Sequence, residues 1–172
     1  MEEFFLNPGE LVFTNKPYKI KTILGSCVSV IIYDRSKKFC GMCHYLLPYS
    51  IDNGASTKYG DVAIPLLIKK FYKNNSKKSD LEAIIVGGAL IFENQNEIFF
   101  IGDKNVEIAK KLLNKYRIFI KDEDSNGDKG RTIIFNTTNG KLTIRRHRKF
   151  NLSDVLDRIR KKVDNIDWDM IK

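Results

Sequence analysis

Leu24-Gly25-Ser26-Cys27-Val28-Ser29-Val30-Ile31-Ile32-Tyr33 is the stretch that decides the fold. Gly25-Ser26 forces a tight turn, and the β-branched run that follows is a strand with at least one buried face, ending at Asp34-Arg35-Ser36. Cys27 stands where turn becomes strand. Working outward, residues 39–47 supply the hairpin partner of this strand. Upstream, residues 10–15 and 18–24 read as two short strands broken by Asn15-Lys16-Pro17.

Downstream, the polar segment Ser50 to Lys58 reads as an exposed loop bordering a site. A helix follows, capped by Asp61, with Pro65 in its first turns and Ile64, Leu67, Ile68 and Phe71 on one face. Leu81 to Val86 is a short apolar run stopped by Gly87-Gly88, the pattern of a central strand with a sharp turn at its end. Ala109, Leu112, Leu113 and Tyr116 mark a second helix. Residues 117–121 read as a strand and 122–130 as a polar loop, and residues 132–136 pair with 141–145 across Thr138-Asn139-Gly140. The class is α/β, a single-domain sandwich built on one large mixed sheet. Residues 1–148 form the domain, and 149–172 form an amphipathic helix, with Leu152, Val155, Leu156, Ile159, Val163 and Ile166 at helical spacing, packed on the same domain.

The length of 172 residues suits one domain, and 42% hydrophobic with 30% charged residues is the balance of a globular protein. Lysine and arginine outnumber acidic residues 30 to 21, giving a net charge of +9 that favours acidic partners. The basic residues are scattered in small groups with no aromatic-rich RNA-binding signature, so a nucleic-acid partner is not expected. One dense block, Arg145-Arg146-His147-Arg148-Lys149, suits an acidic protein face as well as phosphate. An acidic start soon interrupted by Pro8 is unlike an export signal, and no apolar run reaches the roughly 20 residues needed to span a bilayer. The expected location is the cytoplasm, where three cysteines argue against a disulfide framework.

The chemistry-bearing residues concentrate between Cys27 and His44. Cys40-Gly41-Met42-Cys43-His44 matches the haem-attachment pattern C-x-x-C-H, but such haem needs export and its flanks here read as a strand. Cys27, Cys40, Cys43 and His44 have the ligand types of a zinc site. In a regular strand, however, residues 40 and 43 face opposite ways. A thioredoxin-like pair lacks the helix that should begin at its first cysteine. The remaining reading uses Cys27 and His44 alone, as a thiol nucleophile and its general base, with amides around Gly25 and Ser26 forming an oxyanion pocket that binds substrate. Against it stands the ordinary role of a lone cysteine as a small buried hydrophobe.

The order of motifs adds to this reading. Leu24 to Val30, Tyr33-Asp34, Gly41-Met42-Cys43-His44-Tyr45-Leu46-Leu47-Pro48 and Lys58-Tyr59-Gly60-Asp61-Val62-Ala63-Ile64-Pro65 resemble the CheD signature. The likeness continues through Gly87-Gly88-Ala89 with Phe92, Ile101-Gly102 with Asn105-Val106, Gly130-Arg131 and Thr138-Asn139-Gly140-Lys141-Leu142, over roughly residues 7 to 146. The resemblance implies a protein-glutamine glutaminase needing no cofactor or metal, which deamidates glutamines in the cytoplasmic signalling helices of methyl-accepting chemotaxis receptors. It places the catalytic cysteine and histidine on Cys27 and His44, and implies a fold like the deamidase domain of cytotoxic necrotising factors. Some members also bind the phosphatase CheC, so the alternative is a CheC- or receptor-binding module with little activity.

Two positions depart from the family pattern. A threonine commonly stands six residues before the cysteine to support the histidine, whereas here Lys21 does and Thr22 follows. Because one residue of shift reverses a strand's face, Thr22 and Lys21 compete for that role. Cys43 replaces the usual small residue before the histidine. Recognition is assigned to loops near residues 50–60 and 87–96.

Overall fold

In a computed structural model, the described residues are 1–51, 54–90 and 100–147, so the helix expected over 149–172 lies outside them. Nine strands, two α-helices and one short 3-10 turn (Lys78–Asp80) make up the described chain, in the order β1 (Glu2–Phe5), β2 (Leu11–Thr14), β3 (Tyr18–Leu24), β4 (Val28–Asp34), β5 (Cys40–Tyr45), α1 (Gly60–Lys73), β6 (Leu81–Gly87), α2 (Ile101–Lys115), β7 (Phe119–Ser125), β8 (Arg131–Asn136) and β9 (Lys141–Arg146), with the 3-10 turn just before β6.

The strands form two sheets rather than the single large one expected: β2-β5-β4-β6-β7 and β1-β3-β8-β9. Both are mixed, with β1–β3 and β6–β7 parallel and the other pairs antiparallel. The periodicity of a strand shows which residues share a face but not which strand lies beside it, so the split was invisible in the sequence.

The five-stranded sheet is the middle of three layers. Its Val28, Val30, Ile32, Cys43, Tyr45, Ala83 and Ile85 meet Ile64, Leu67, Ile68 and Phe71 of α1 and Ala109, Leu112 and Leu113 of α2. On its other face, Ile31, Cys40, Met42 and Val86 meet Leu6 and the inward residues Ile20, Leu24, Ile133 and Phe135 of the four-stranded sheet. Both faces of β4 are therefore apolar, which is why its sequence shows no alternation. Each fully buried large side chain contributes about 1.5–3 kcal/mol relative to exposure.

Local expectations held in the helices and hairpins and failed at a few points. Asp61 does not cap α1; the cap position is Tyr59, without a side-chain bond, and the Asp61 carboxylate accepts the Ser50 N–H. The segment 122–130, read as loop, is strand as far as Ser125, and β1 was not foreseen. Both are edge strands, where charged residues such as Lys121, Asp122 and Glu123 are suited to blocking further pairing. No helix among the described residues is long and apolar enough to cross a membrane.

Candidate active site

Parity along β4 and β5 puts Cys27 and His44 together. Ser29 pairs with His44 across the ladder, and Cys27, two residues before Ser29, packs with the inter-sheet core as Ile31 does. Met42 and Cys40 lie on that same face, so His44 does too. Cys27 and His44 thus face the same side of the sheet, with Cys27 one residue before the ladder opens at Val28 and Tyr45. Thr22 approaches from the opposite sheet. Ile20, Thr22 and Leu24 alternate inward along β3, whereas Lys21 does not join them. Of the two residues, Thr22 is the one turned toward His44.

Thr22 Oγ1 lies 2.9 Å from His44 Nδ1 and 2.7 Å from the Leu6 carbonyl. A carbonyl can only accept, so the single hydroxyl proton goes to Leu6 and Oγ1 presents a lone pair to the ring. Nδ1 therefore carries the imidazole proton, an assignment made from the network, and Nε2 is left as the basic nitrogen. Nε2 is buried and meets no hydrogen-bond partner among the described residues.

The backbone around His44 is held by the N-terminal segment. Gly9 N–H donates to the His44 carbonyl at 2.7 Å, and His44 N–H donates to the Glu10 carbonyl at 3.0 Å. Leu6 N–H in turn donates to the Lys21 carbonyl at 2.9 Å. Residues 6–10 thus strap the Thr22 strand to the His44 strand.

The cysteine turn is fixed from the other side by the end of β6. Gly88 N–H donates to the Cys27 carbonyl and Ala89 N–H to the Gly25 carbonyl, both at 2.8 Å. Gly87 has φ +120°, and a Cβ there would stand 2.2 Å from the Cys27 carbonyl oxygen, so only glycine fits. The loop after β7 supports this end: Arg131 bonds Asp124 and the Asn126 carbonyl, while Asn126 N–H donates to the Gly87 carbonyl. Among the described residues, the N–H groups of Gly25, Ser26 and Cys27 donate to no backbone carbonyl. That leaves them able to meet an oxyanion.

Burial sets the resting charges. It raises the pKa of the Cys27 thiol from its ordinary 9.0, opposed by the residue's own N–H. It lowers that of His44 from 6.5, opposed by the Leu6 carbonyl and the Glu10 carboxylate. At neutral pH the pair rests as thiol and neutral imidazole. Cys43, in the helix-facing core, is pushed up to about 12, and burial in the inter-sheet core raises Cys40 strongly as well. These two thiols sit on opposite faces of the sheet, and no metal-binding cluster occurs among the described residues.

Asn105 was missed as a site residue. Fully buried on α2, it donates from Nδ2 to the Ser26 carbonyl at 3.0 Å and to the Leu46 carbonyl at 2.9 Å. The signal in the sequence was a polar residue in the apolar stripe of α2, one turn before Ala109.

A half-buried thiol on the same side of the sheet as a buried imidazole, at a turn whose amides donate to no backbone carbonyl among the described residues, has the components that a thiol-dependent acyl transfer would need. The comparisons point to one group of proteins. The family described as "CheD chemotactic sensory transduction" matches residues 46–146, a stretch that begins just beyond His44. A relative in Methanococcus vannielii is 36% identical over 140 residues, covering 80% of this chain and 91% of its own. Another, in Clostridium botulinum strain Eklund 17B, is 41% identical over 143 residues, covering 80% and 88%. Both are named "Probable chemoreceptor glutamine deamidase CheD". This chain belongs to the CheD family. Among solved structures, the Bacillus licheniformis hypothetical protein YfiH aligns with 67% of this chain and 49% of its own at 16% identity. Its TM-score of 0.44 is too slight a likeness to bear on fold or chemistry.

Proposed function

We propose that this protein is a cytoplasmic chemoreceptor glutamine deamidase, hydrolysing glutamine side chains of methyl-accepting chemotaxis proteins to glutamate and ammonia. Cys27 is the nucleophile, His44 the general base and Thr22 the residue that orients His44. The observation that carries the reading is the Thr22–His44 contact, because it leaves Nε2 able to take a proton on the face shared with Cys27. The names of the relatives, which speak of chemoreceptor glutamine, support this choice of substrate. A fold like that of the necrotising-factor deamidases, implied by the family likeness, suits the same chemistry.

Nε2 draws the thiol proton as sulfur attacks the carboxamide carbon, and the oxyanion meets the amides of Gly25, Ser26 and Cys27. Collapse expels ammonia, which takes its proton from Nε2, and leaves a thioester on Cys27. Nε2 then deprotonates a water that attacks the thioester, and the thiol departs with that proton, leaving glutamate. Every step so written uses side chains, backbone amides and water.

The test is peptide mass spectrometry of a receptor cytoplasmic fragment incubated with wild-type protein or Cys27→Ala. The expected outcome is a gain of about one dalton at particular glutamines with the wild type alone, as a Cys-dependent hydrolysis requires. No gain on a fragment that binds would overturn the deamidase and leave the receptor- or CheC-binding module standing.

A further inference from the structure

The regular β4–β5 ladder ends at the pair Val28 and Tyr45. Beyond it the two chains part, one into the Gly25-Ser26-Cys27 turn and the other into Leu46-Leu47. Asn105 fills the place of the missing rung. One of its amide protons goes to the Ser26 carbonyl, beside the nucleophile, and the other to the Leu46 carbonyl, two residues past His44. Both acceptors are carbonyls, so the amide can be oriented only with its NH2 toward them. The backbone carbonyl of Asn105 also receives the Tyr45 hydroxyl, from the residue next to His44. The asparagine is held to this place because α2 begins against the end of β6: a Cβ on Gly102 would stand 2.5 Å from the Gly88 carbonyl oxygen.

We infer that Asn105 is a positioning residue of the site, setting the separation of Cys27 from His44 by bridging the two diverging strand ends. No apolar residue can do this, and an acidic one would oppose two carbonyl oxygens with its own. Its role is distinct from general packing, because the bonds it makes lie on the backbones that carry the two reacting side chains. A displacement of about 1 Å between reacting groups costs on the order of 100-fold in rate, so the loss should fall on turnover rather than on stability alone.

The inference rests on the deamidase reading only for its turnover arm; iodoacetamide alkylation of Cys27 tests it without a receptor. Cys40 and Cys43 are fully buried and stay silent in the native protein. Asn105→Ala should slow alkylation at neutral pH about tenfold, as a resting thiol moved away from the imidazole loses the base that takes its proton when it reacts. It should also lower kcat by roughly 10- to 100-fold with KM changed less than about threefold. Leu113→Ala, which cavitates the same helix away from the site, should lower the melting temperature while both rates per folded molecule stay within about twofold. If Asn105→Ala does not fold, Asn105→Asp replaces it. Protonating the carboxyl restores one donor, so the alkylation rate of Asn105→Asp relative to wild type should rise as pH falls. Asn105 variants that alkylate and turn over within about twofold of wild type per folded molecule, or a Leu113→Ala that loses as much, would overturn the assignment. Absence of turnover in wild type, with alkylation still slowed by Asn105→Ala, would sink the deamidase while leaving the positioning role intact.

Discussion

His44 depends on a residue sixteen positions from its own hydrogen-bond anchor, since Thr22 can orient the imidazole only because its proton is given to Leu6. Thr22→Val keeps the shape and removes the acceptor, freeing the ring to carry its proton on Nε2. Turnover should fall by roughly 10- to 100-fold, part of what acid–base catalysis supplies, and Thr22→Ser should recover much of it. A Thr22→Val enzyme with wild-type kcat would remove Thr22 from the mechanism. The pH profile follows from the two burial shifts. The base must be neutral, and its pKa lies below the ordinary 6.5, so the acid limb of kcat/KM should have its midpoint below 6.5. The thiol lies above 9.0, so the alkaline limb belongs above 9.0 and the rate should be level between the two. An alkaline limb below 9.0, with an acid midpoint falling toward the roughly 3–4 of histidine-paired cysteines, would instead indicate a preformed thiolate–imidazolium pair. Cys27 and His44 were singled out by residue type and motif. Thr22 could not be separated from Lys21 in the sequence, and it is the packing of Ile20, Thr22 and Leu24 against the other sheet that shows which of the two faces inward.

Among the elements, the end of β6 bears most directly on the turn that carries Cys27. Gly87→Ala would place a methyl group in the Cys27 carbonyl on a backbone of φ +120°, a strain of about 1–3 kcal/mol before any contact is counted. The expected result is a lower melting temperature together with a changed alkylation rate at Cys27, because the turn must move to admit the methyl; a stable variant with an unchanged rate would show that the turn is not fixed by this approach. The helices were readable because apolar residues recur at helical spacing on one face. The Gly87-Gly88 stop was equally readable. The edge strands were not, since β1 and the charged half of β7 bury little and so carry no alternation. Asp61 was misassigned for a related reason: its acidic side chain suits a helix start, but the competing Ser50 N–H lies in a loop whose path no periodicity describes.

Taken whole, the molecule divides its stability between two cores and places its chemistry in only one of them. Ile133, the register partner of Thr22, lies in the inter-sheet core, and Leu113 lies under the helices. Truncating either to alanine should cost about 2–5 kcal/mol. Measured per folded molecule, Ile133→Ala should also lower turnover, since it loosens the sheet that carries Thr22 against the one that carries His44. Equal turnover in the two variants would mean that the spacing of the sheets is set elsewhere. The sequence showed that β4 has at least one buried face but not the second sheet that covers the other, because a continuous apolar run has the same appearance whatever lies above it. The strap formed by residues 6–10 belongs to this scale as well. It means that a single cut between Leu6 and Leu11 would release the backbone of His44 while Leu6 kept its place in the inter-sheet core and the helix-facing core was untouched, so the lifetime of the proposed catalyst and the lifetime of the fold need not be the same.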